Sequence, residues 1–385
     1  MMSGAVTSVW RNAVRSVLML LPAVPLVLPS PLMARARAQH AAPAAPPPAT
    51  PPAAPAAGVA DDTPPFPQAN ACIAHVLSLP LLTGEGSPGV AITLNAAKGM
   101  AFLSTSQEAL GVFERPGLEY EHSRTLQMKT ITGPAEAFET TVDRLALGRG
   151  TAQHVPAVTL GQMDDKVAGL PILGVVGYDI LGNYDVLMDF PRHVVTLFKE
   201  TGAAACPPLP ALVGAHSYAA LLMPNPQGMD VMVQVALNGA LLGMQVEPGS
   251  NASIVRTADA ADIGVGKADL AADPRSRTDA GNAIIGRRHR FAPVAIGTWH
   301  GASLSADVTN AQFNVLGMDF FRGRRVLFAF PTRMFYFSDV QPDAAGAASA
   351  SLSLAQSRLA DVQVQQDEGD TPPPPPSASA PPPAH

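Results

Sequence analysis

Apolar residues in this chain recur at short range. Gly89–Asn95 (GVAITLN), Val142–Gly148 (VDRLALG), Tyr184–Phe190 (YDVLMDF), His193–Phe198 (HVVTLF), Val231–Gly239 (VMVQVALNG), Arg325–Phe330 (RVLFAF) and Arg333–Ser338 (RMFYFS) either alternate or are wholly apolar. Gly, Pro and Asn punctuate them. Period-two or continuous apolar runs of this length, bounded by turn residues, predict β-strands. Helix is expected only in short pieces: Thr105–Val112, Thr257–Ile263, and single turns after Gly177 and Gly317. The fold class is therefore mostly β.

The pattern stops at both ends. Residues 39–67 are Ala/Pro-rich (AAPAAPPPATPPAAPAA), and residues 341–385 are Ala/Ser/Gln-rich and close on TPPPPPSASAPPPAH. Such segments bury too little apolar surface to offset their ordering entropy and are expected to be an extended linker and a disordered tail. The first 38 residues read as an export signal, with Arg11 and Arg15 ahead of the apolar run Val17–Leu28 and a small-x-small site at Ala36-Arg37-Ala38. Cleavage would start the mature chain at Gln39, periplasmic or secreted, with no membrane span left. The alternative is an uncleaved anchor. The run is short for a bilayer span, and Pro22 and Pro25 interrupt it.

Inside the folded part the chain repeats itself. Gly177-Tyr178-Asp179-Ile180-Leu181 matches Gly317-Met318-Asp319-Phe320-Phe321, an offset of 317 − 177 = 140. Asp189-Phe190-Pro191 matches Ala329-Phe330-Pro331 at the same offset. Upstream, Leu94-Asn95 matches Leu237-Asn238, an offset of 237 − 94 = 143. That shift lays Ser104-Thr105-Ser106 on Glu247-Pro248-Gly249. A period of this length marks a structural unit used twice.

Each unit runs from an apolar strand ending in Asn to a strand entering a tight turn. A long β-segment follows, then apolar-apolar-Gly, a helical turn and two closing strands. Leu173-Gly174-Val175-Val176-Gly177-Tyr178-Asp179-Ile180-Leu181 and Val315-Leu316-Gly317-Met318-Asp319-Phe320-Phe321 carry the pattern best. In this the chain resembles the retropepsin-like and pepsin-like aspartic peptidases, specifically the exported bacterial type with two fused lobes. The resemblance implies a first lobe over 68–206 and a second over 207–340, each a small barrel-like β-unit. It implies flap segments near Lys129–Thr141 and Asp279–Arg290. It also places a cysteine pair where Cys72 and Cys206 stand, and two cysteines in an oxidising compartment permit one disulfide.

In that family the tight turn is Asp-Thr-Gly, once per lobe. Two facing carboxylates share a proton, so that one serves as base and the other as acid. This chain departs at both turns. Ser104 is no acid, Ser106 replaces Gly, Glu247 is one methylene longer than Asp, and Pro248 lacks both hydroxyl and N–H. Thr105 and Gly249 are retained. No paired carboxylates remain, and no catalytic residue is assigned with confidence.

Other chemistry is thin. Net charge is −6 and no long basic run occurs, which argues against nucleic acid. The nine histidines are scattered and no zinc motif is present, so no metal or cofactor is expected. Ser104 as a nucleophile would need a base, and G-x-S-x-G is absent. Asp179 and Asp319 are matched acids that could be offered as a substitute dyad, but the resemblance places them behind the site in structural roles. Asp164-Asp165 reads as a solvated loop. Gly84–Gly89 fits G-x-G-x-x-G, yet a strand follows it instead of a helix. Arg287-Arg288-His289-Arg290 reads as a solvated strand edge, and Asn251-Ala252-Ser253 as a chance glycosylation sequon.

The expected function is a non-catalytic pseudo-peptidase that holds a peptide or protein segment in the inter-lobe cleft. One alternative is an active endopeptidase that pairs Glu247 with an unidentified second acid. Another is a structural envelope protein.

Overall fold

The computed structural model describes residues 66–342 apart from Glu85, Ala204 and Gly281, together with the strand Val362–Val364; for 277–285 and 362–364 it describes the backbone alone. The expected signal peptide, nearly all of the Ala/Pro linker and most of the tail lie outside the described residues.

Strands dominate, as the apolar pattern predicts, and they form three sheets. The first half of the chain supplies an eight-stranded sheet from Gly89–Leu94 to Leu170–Val176. Six of its strands close on themselves, because Gly89–Leu94 also pairs with Gly133–Leu147, Ile92 opposite Leu147. The second half supplies an eleven-stranded sheet, with Val362–Val364 paired at its edge. The third sheet has six strands, three from each half, joined where Asp185–Asp189 pairs antiparallel with Arg325–Ala329.

One pairing pattern occurs in both halves. Ala97–Leu103 runs parallel to Leu170–Val176, with Leu103 opposite Val176. Ala240–Val246 runs parallel to Val315–Leu316, with Val246 opposite Leu316. Leu110–Glu114 lies parallel to Gly150–Gln162 and antiparallel to Leu170–Val176. Ile254–Arg256 stands likewise between Leu304–Thr309 and Val315–Leu316. The hairpins that open the two halves turn through Asn95 at φ 54° and Asn238 at φ 53°, the left-handed region that Asn tolerates.

The helical turns fall where expected, at Tyr178–Leu181 and Met318–Phe321, and Thr257–Asp262 is helical. Both single turns start from a glycine for a steric reason. A Cβ on Gly177 would strike the carbonyls of Gln107 and Ala109, and one on Gly317 those of Ser250 and Ala252. The expected helix at Thr105–Val112 is not formed. Residues 104–109 are an irregular loop and Leu110–Glu114 is a strand. Tertiary partners override the local preference here: Gly111 and Val112 pair with two strands at once, and the Leu110 N–H bonds to Asp179 Oδ2 at 3.0 Å.

The shared sheet carries an aromatic core of Phe320, Phe321, Phe328, Phe335 and Phe337, with ring centroids 5.0–6.3 Å apart. Within this sheet Arg325 Nε meets Asp189 Oδ2 at 2.9 Å, and both side chains are fully buried. Phe66, at the end of the Ala/Pro segment, packs on the sheet and over Arg325. Cys72 and Cys206 are disulfide-bonded, with Cα atoms 5.6 Å apart. The bond ties the end of the pair Ile73–Pro80 and Val194–Glu200. A crosslink spanning 134 residues contributes roughly 2–4 kcal/mol by restricting the unfolded chain.

Candidate functional site

The two tight turns meet. Leu103 and Val246 end equivalent strands, and the residues that follow are held by equivalent bonds: Ser104 N–H donates to Val176 O at 3.1 Å and Glu247 N–H to Leu316 O at 2.9 Å. This brings Ser104 Oγ to 2.8 Å from Glu247 Oε2. Ser106 donates to the same oxygen through its N–H at 2.6 Å and its Oγ at 2.5 Å. The other oxygen, Oε1, accepts the Gly249 N–H at 2.5 Å.

Ser106 and Gly249 occupy matching positions, 249 − 106 = 143 apart. Glu247 therefore answers the amide of its own turn with one oxygen and the matching amide of the opposite turn with the other. The additional methylene gives the side chain that reach. Gly249 leaves room for it, since a Cβ there would push Glu247 Oε1 aside. One carboxylate bridges two seats.

Glu247 is 6 % exposed. Burial pushes its carboxyl above the usual range, and the Ser106, Ser104 and Gly249 donors pull it back only in part. Bracing of the turns is one-sided. Thr105 Oγ1 donates to Val246 O, whereas Pro248 has no hydroxyl to return the bond.

Neither proposed substitute acid turns to Glu247. Asp179 Oδ2 takes the Leu110 N–H and its Oδ1 the Ile180 N–H at 2.9 Å. Asp319 Oδ2 takes the matching Ser253 N–H at 2.7 Å, and its Oδ1 meets Arg288 and Arg322. Both carboxylates brace the strand that follows a turn. The basic cluster Arg287–Arg290 is not a solvated edge. Its strand, Asn282–Phe291, is paired on both sides, and Arg288 bonds Asp307 Oδ1 at 3.1 Å as well as Asp319. Buried acids nearby draw the guanidinium inward.

The roles of two further residues escaped the sequence reading. Ser87, in the Gly84–Gly89 loop, puts its Oγ 2.7 Å from Gly249 O, and its N–H donates to Asn251 Oδ1 at 2.7 Å. Asn251 is thus an enclosed brace, 2 % exposed, and no glycan acceptor. Nothing in the local sequence signals a bond between residues 164 positions apart. Asp164 and Asp165 do lie outside regular structure, as expected.

A cleft of about 800 Å³ opens beside the turns. Ser106 and Gln107 form part of its floor, the hairpin Arg124–Thr130 and Gly133–Leu147 a wall, and Asn225, Gln245 and Phe313 the side given by the second half. The hairpin falls on the expected flap Lys129–Thr141. Its turn is fastened: Ile131 is buried among Ala252, Ile254, Ala311 and Val315, and Ile131 O accepts the Gln312 N–H at 3.0 Å. The second expected flap, Asp279–Arg290, falls on the hairpin Arg275–Ala280 and Asn282–Phe291. An Ile131→Asp variant is expected to release the first hairpin, since an ionised carboxylate does not enter an apolar cluster. Hydrogen exchange at the Gln312 amide should accelerate by about 30-fold or more; unchanged exchange would show that the hairpin is held from elsewhere.

Residues 233–320, which contain the Glu247 turn, match the family described as Aspartyl protease. This part of the chain is aspartic-peptidase-like. The aspartic proteinase from Irpex lacteus is a similar solved structure, with a TM-score of 0.44 at 10 % identity, covering 71 % of this chain and 100 % of that one. Comparison with curated proteins gave no match. Among the described residues, no group of three or more His, Cys, Asp or Glu is placed to hold a metal ion. Among the same residues no helix is long and apolar enough to cross a membrane.

Proposed function

We propose that this chain is an exported pseudo-peptidase that binds a peptide or protein segment in the cleft beside Glu247 and does not cleave it. The observation that carries this reading is the bridging carboxylate. Peptide hydrolysis by this fold needs one carboxylate to take a proton from water and another to give one to the carbonyl. Here one carboxylate fills both seats, and its Oε2 already accepts three donors. No second acid is available from Asp179 or Asp319, whose oxygens brace the fold.

Export is supported by the N-terminal sequence pattern and by the disulfide, which persists in oxidising compartments. The matched pairing of the two halves supports a duplicated unit, with lobes over 68–206 and 207–340. The ligand is a segment of polypeptide; nucleic acid and membrane are not partners in this reading.

The purified protein is expected to leave casein and a peptide library uncut from pH 3 to pH 8, with and without pepstatin, while retaining library peptides on equilibrium binding. Cleavage that is lost in a folded Glu247→Gln variant would establish the active endopeptidase instead. Neither cleavage nor binding would leave the structural envelope role.

A further inference from the structure

Two serine hydroxyls give their protons to one carboxylate oxygen. Ser104 Oγ lies 2.8 Å from Glu247 Oε2, and Ser106 Oγ lies 2.5 Å from it. A serine hydroxyl is a weak nucleophile until a base takes its proton, and a base within hydrogen-bond reach is the first geometric condition for that. The sequence places no base beside Ser104; the fold brings Glu247 to both serines.

The two serines are not equivalent. Ser104 Oγ also accepts the Gln107 N–H at 3.0 Å, so one of its lone pairs is committed. Ser106 lines the cleft. Its hydroxyl therefore has the base on one side and a bound ligand's space on the other. Met128, Val158, Met229 and Phe313 give the same cleft apolar wall, which suits a short acyl chain. Burial assists the base as well. An anion at Glu247 lacks hydration, so accepting a proton is the direction its surroundings favour.

Gln107 supplies a donor. Its Nε2 is enclosed and makes no hydrogen bond among the described residues. The backbone is fixed, since the Gln107 carbonyl accepts the Tyr178 N–H at 2.7 Å, and the residue lines the cleft beside Ser106. A buried donor without a partner is costly to keep, and a negative charge that forms only during reaction is the acceptor such a donor suits.

We infer that Ser106 is an acyl-accepting nucleophile with Glu247 as its base and Gln107 Nε2 as donor to the oxyanion, acting on activated acyl esters of the aryl ester and thioester class. Ser106 Oγ bonds to the acyl carbon as its proton passes to Glu247 Oε2. The carbonyl oxygen takes up the displaced electron pair and receives the Gln107 donor. The carbonyl re-forms, and the phenolate or thiolate departs with its bonding pair, needing no proton to leave. Glu247 then gives its proton to solvent. In the second half water attacks the acyl carbon and loses a proton to Glu247. The bond to Ser106 Oγ breaks, and Oγ recovers that proton. The sum is ester and water to acid and phenol or thiol. A carboxylate is a weak base, so the adduct reverts unless its leaving group departs unaided. Peptide bonds, whose amine must leave protonated, are spared. The activity lies beyond peptide binding and does not depend on it.

The test uses the purified protein with p-nitrophenyl butyrate and a butyryl thioester. Hydrolysis above the buffer rate is expected, and acid quenching followed by peptide mapping should place one butyryl group on Ser106. Ser106→Ala should lose the label and about tenfold or more of kcat/KM. Glu247→Gln should lower kcat about 100-fold. Gln107→Met should lower kcat about tenfold or more at little change in KM, as expected of a group that acts only in the transition state. The labelling of wild type decides the matter even where a variant does not fold. No hydrolysis above buffer, a label on Ser104 or a surface amine in place of Ser106, or full activity in a folded Glu247→Gln protein overturns the inference and leaves the peptide-binding reading standing. Cleavage of peptides through Ser106 overturns both that reading and the restriction to activated esters.

Discussion

Replacing Asp189 by alanine is expected to cost about 3–5 kcal/mol of folding free energy, the largest loss of any single change considered. Asp189 and Arg325 face each other across the pair of strands that joins the two halves among the described residues, and both are fully buried. Removing the carboxylate takes its anionic partner from a buried guanidinium that has Phe66 over its face. The charge cannot be shed, because arginine stays protonated at any pH the fold survives. The double variant Asp189→Leu with Arg325→Met should recover part of the loss: an apolar pair of like volume needs no compensation, but the bond from the Arg192 N–H to Asp189 Oδ1 stays lost. Urea unfolding at neutral pH measures both. A single variant within about 0.5 kcal/mol of wild type would show that the junction does not depend on the pair.

Removal of the bridging carboxylate is the second large effect. Glu247→Ala deprives the buried Gly249 and Ser106 amides of their acceptor, and is expected to destabilise by about 2–4 kcal/mol. The hydroxyls of Ser104 and Ser106 can turn elsewhere; the amides cannot. Glu247→Gln keeps the shape and removes the titration. Because burial raises the Glu247 carboxyl, its protonated form favours the fold. That stabilisation is complete below the unfolded value of 4.5 and is lost as pH rises through the folded value. The stability of wild type relative to Glu247→Gln should therefore fall as pH rises above the unfolded value of 4.5. A difference that grows with pH would mean that the donors favour the anion more than burial opposes it.

Much of this was readable in the chain because period-two apolar runs and glycines act locally. Gly177 and Gly317 are forced by carbonyls a few ångströms away, and any sequence that keeps the close approach keeps the glycine. The meeting of Ser104 with Glu247 was legible for a related reason: a shift of 143 residues carries one turn onto the other. The failures are long-range. Thr105–Val112 has helix-forming residues, but two strands claim Gly111 and Val112. The Arg288 strand looked solvated because Asp307 and Asp319, its partners, lie 19 and 31 residues away. The bridge itself could not be read either. The sequence shows a longer acid on one turn and none on the other, but not that the added reach is spent on the opposite amide.

That reach also bears on descent. Shortening Glu247 to aspartate alone would withdraw it from the Ser106 amide while restoring no partner acid. Changing Ser104 to aspartate alone would remove the hydroxyl that donates to Glu247 Oε2 and set a second carboxyl against a side chain already in its place. Each of these single steps toward a paired site gives up a bond of the bridge, so the present arrangement opposes both. A chain carrying this glutamate is separated from a paired site by more than one substitution, because the seat and its occupant must change together.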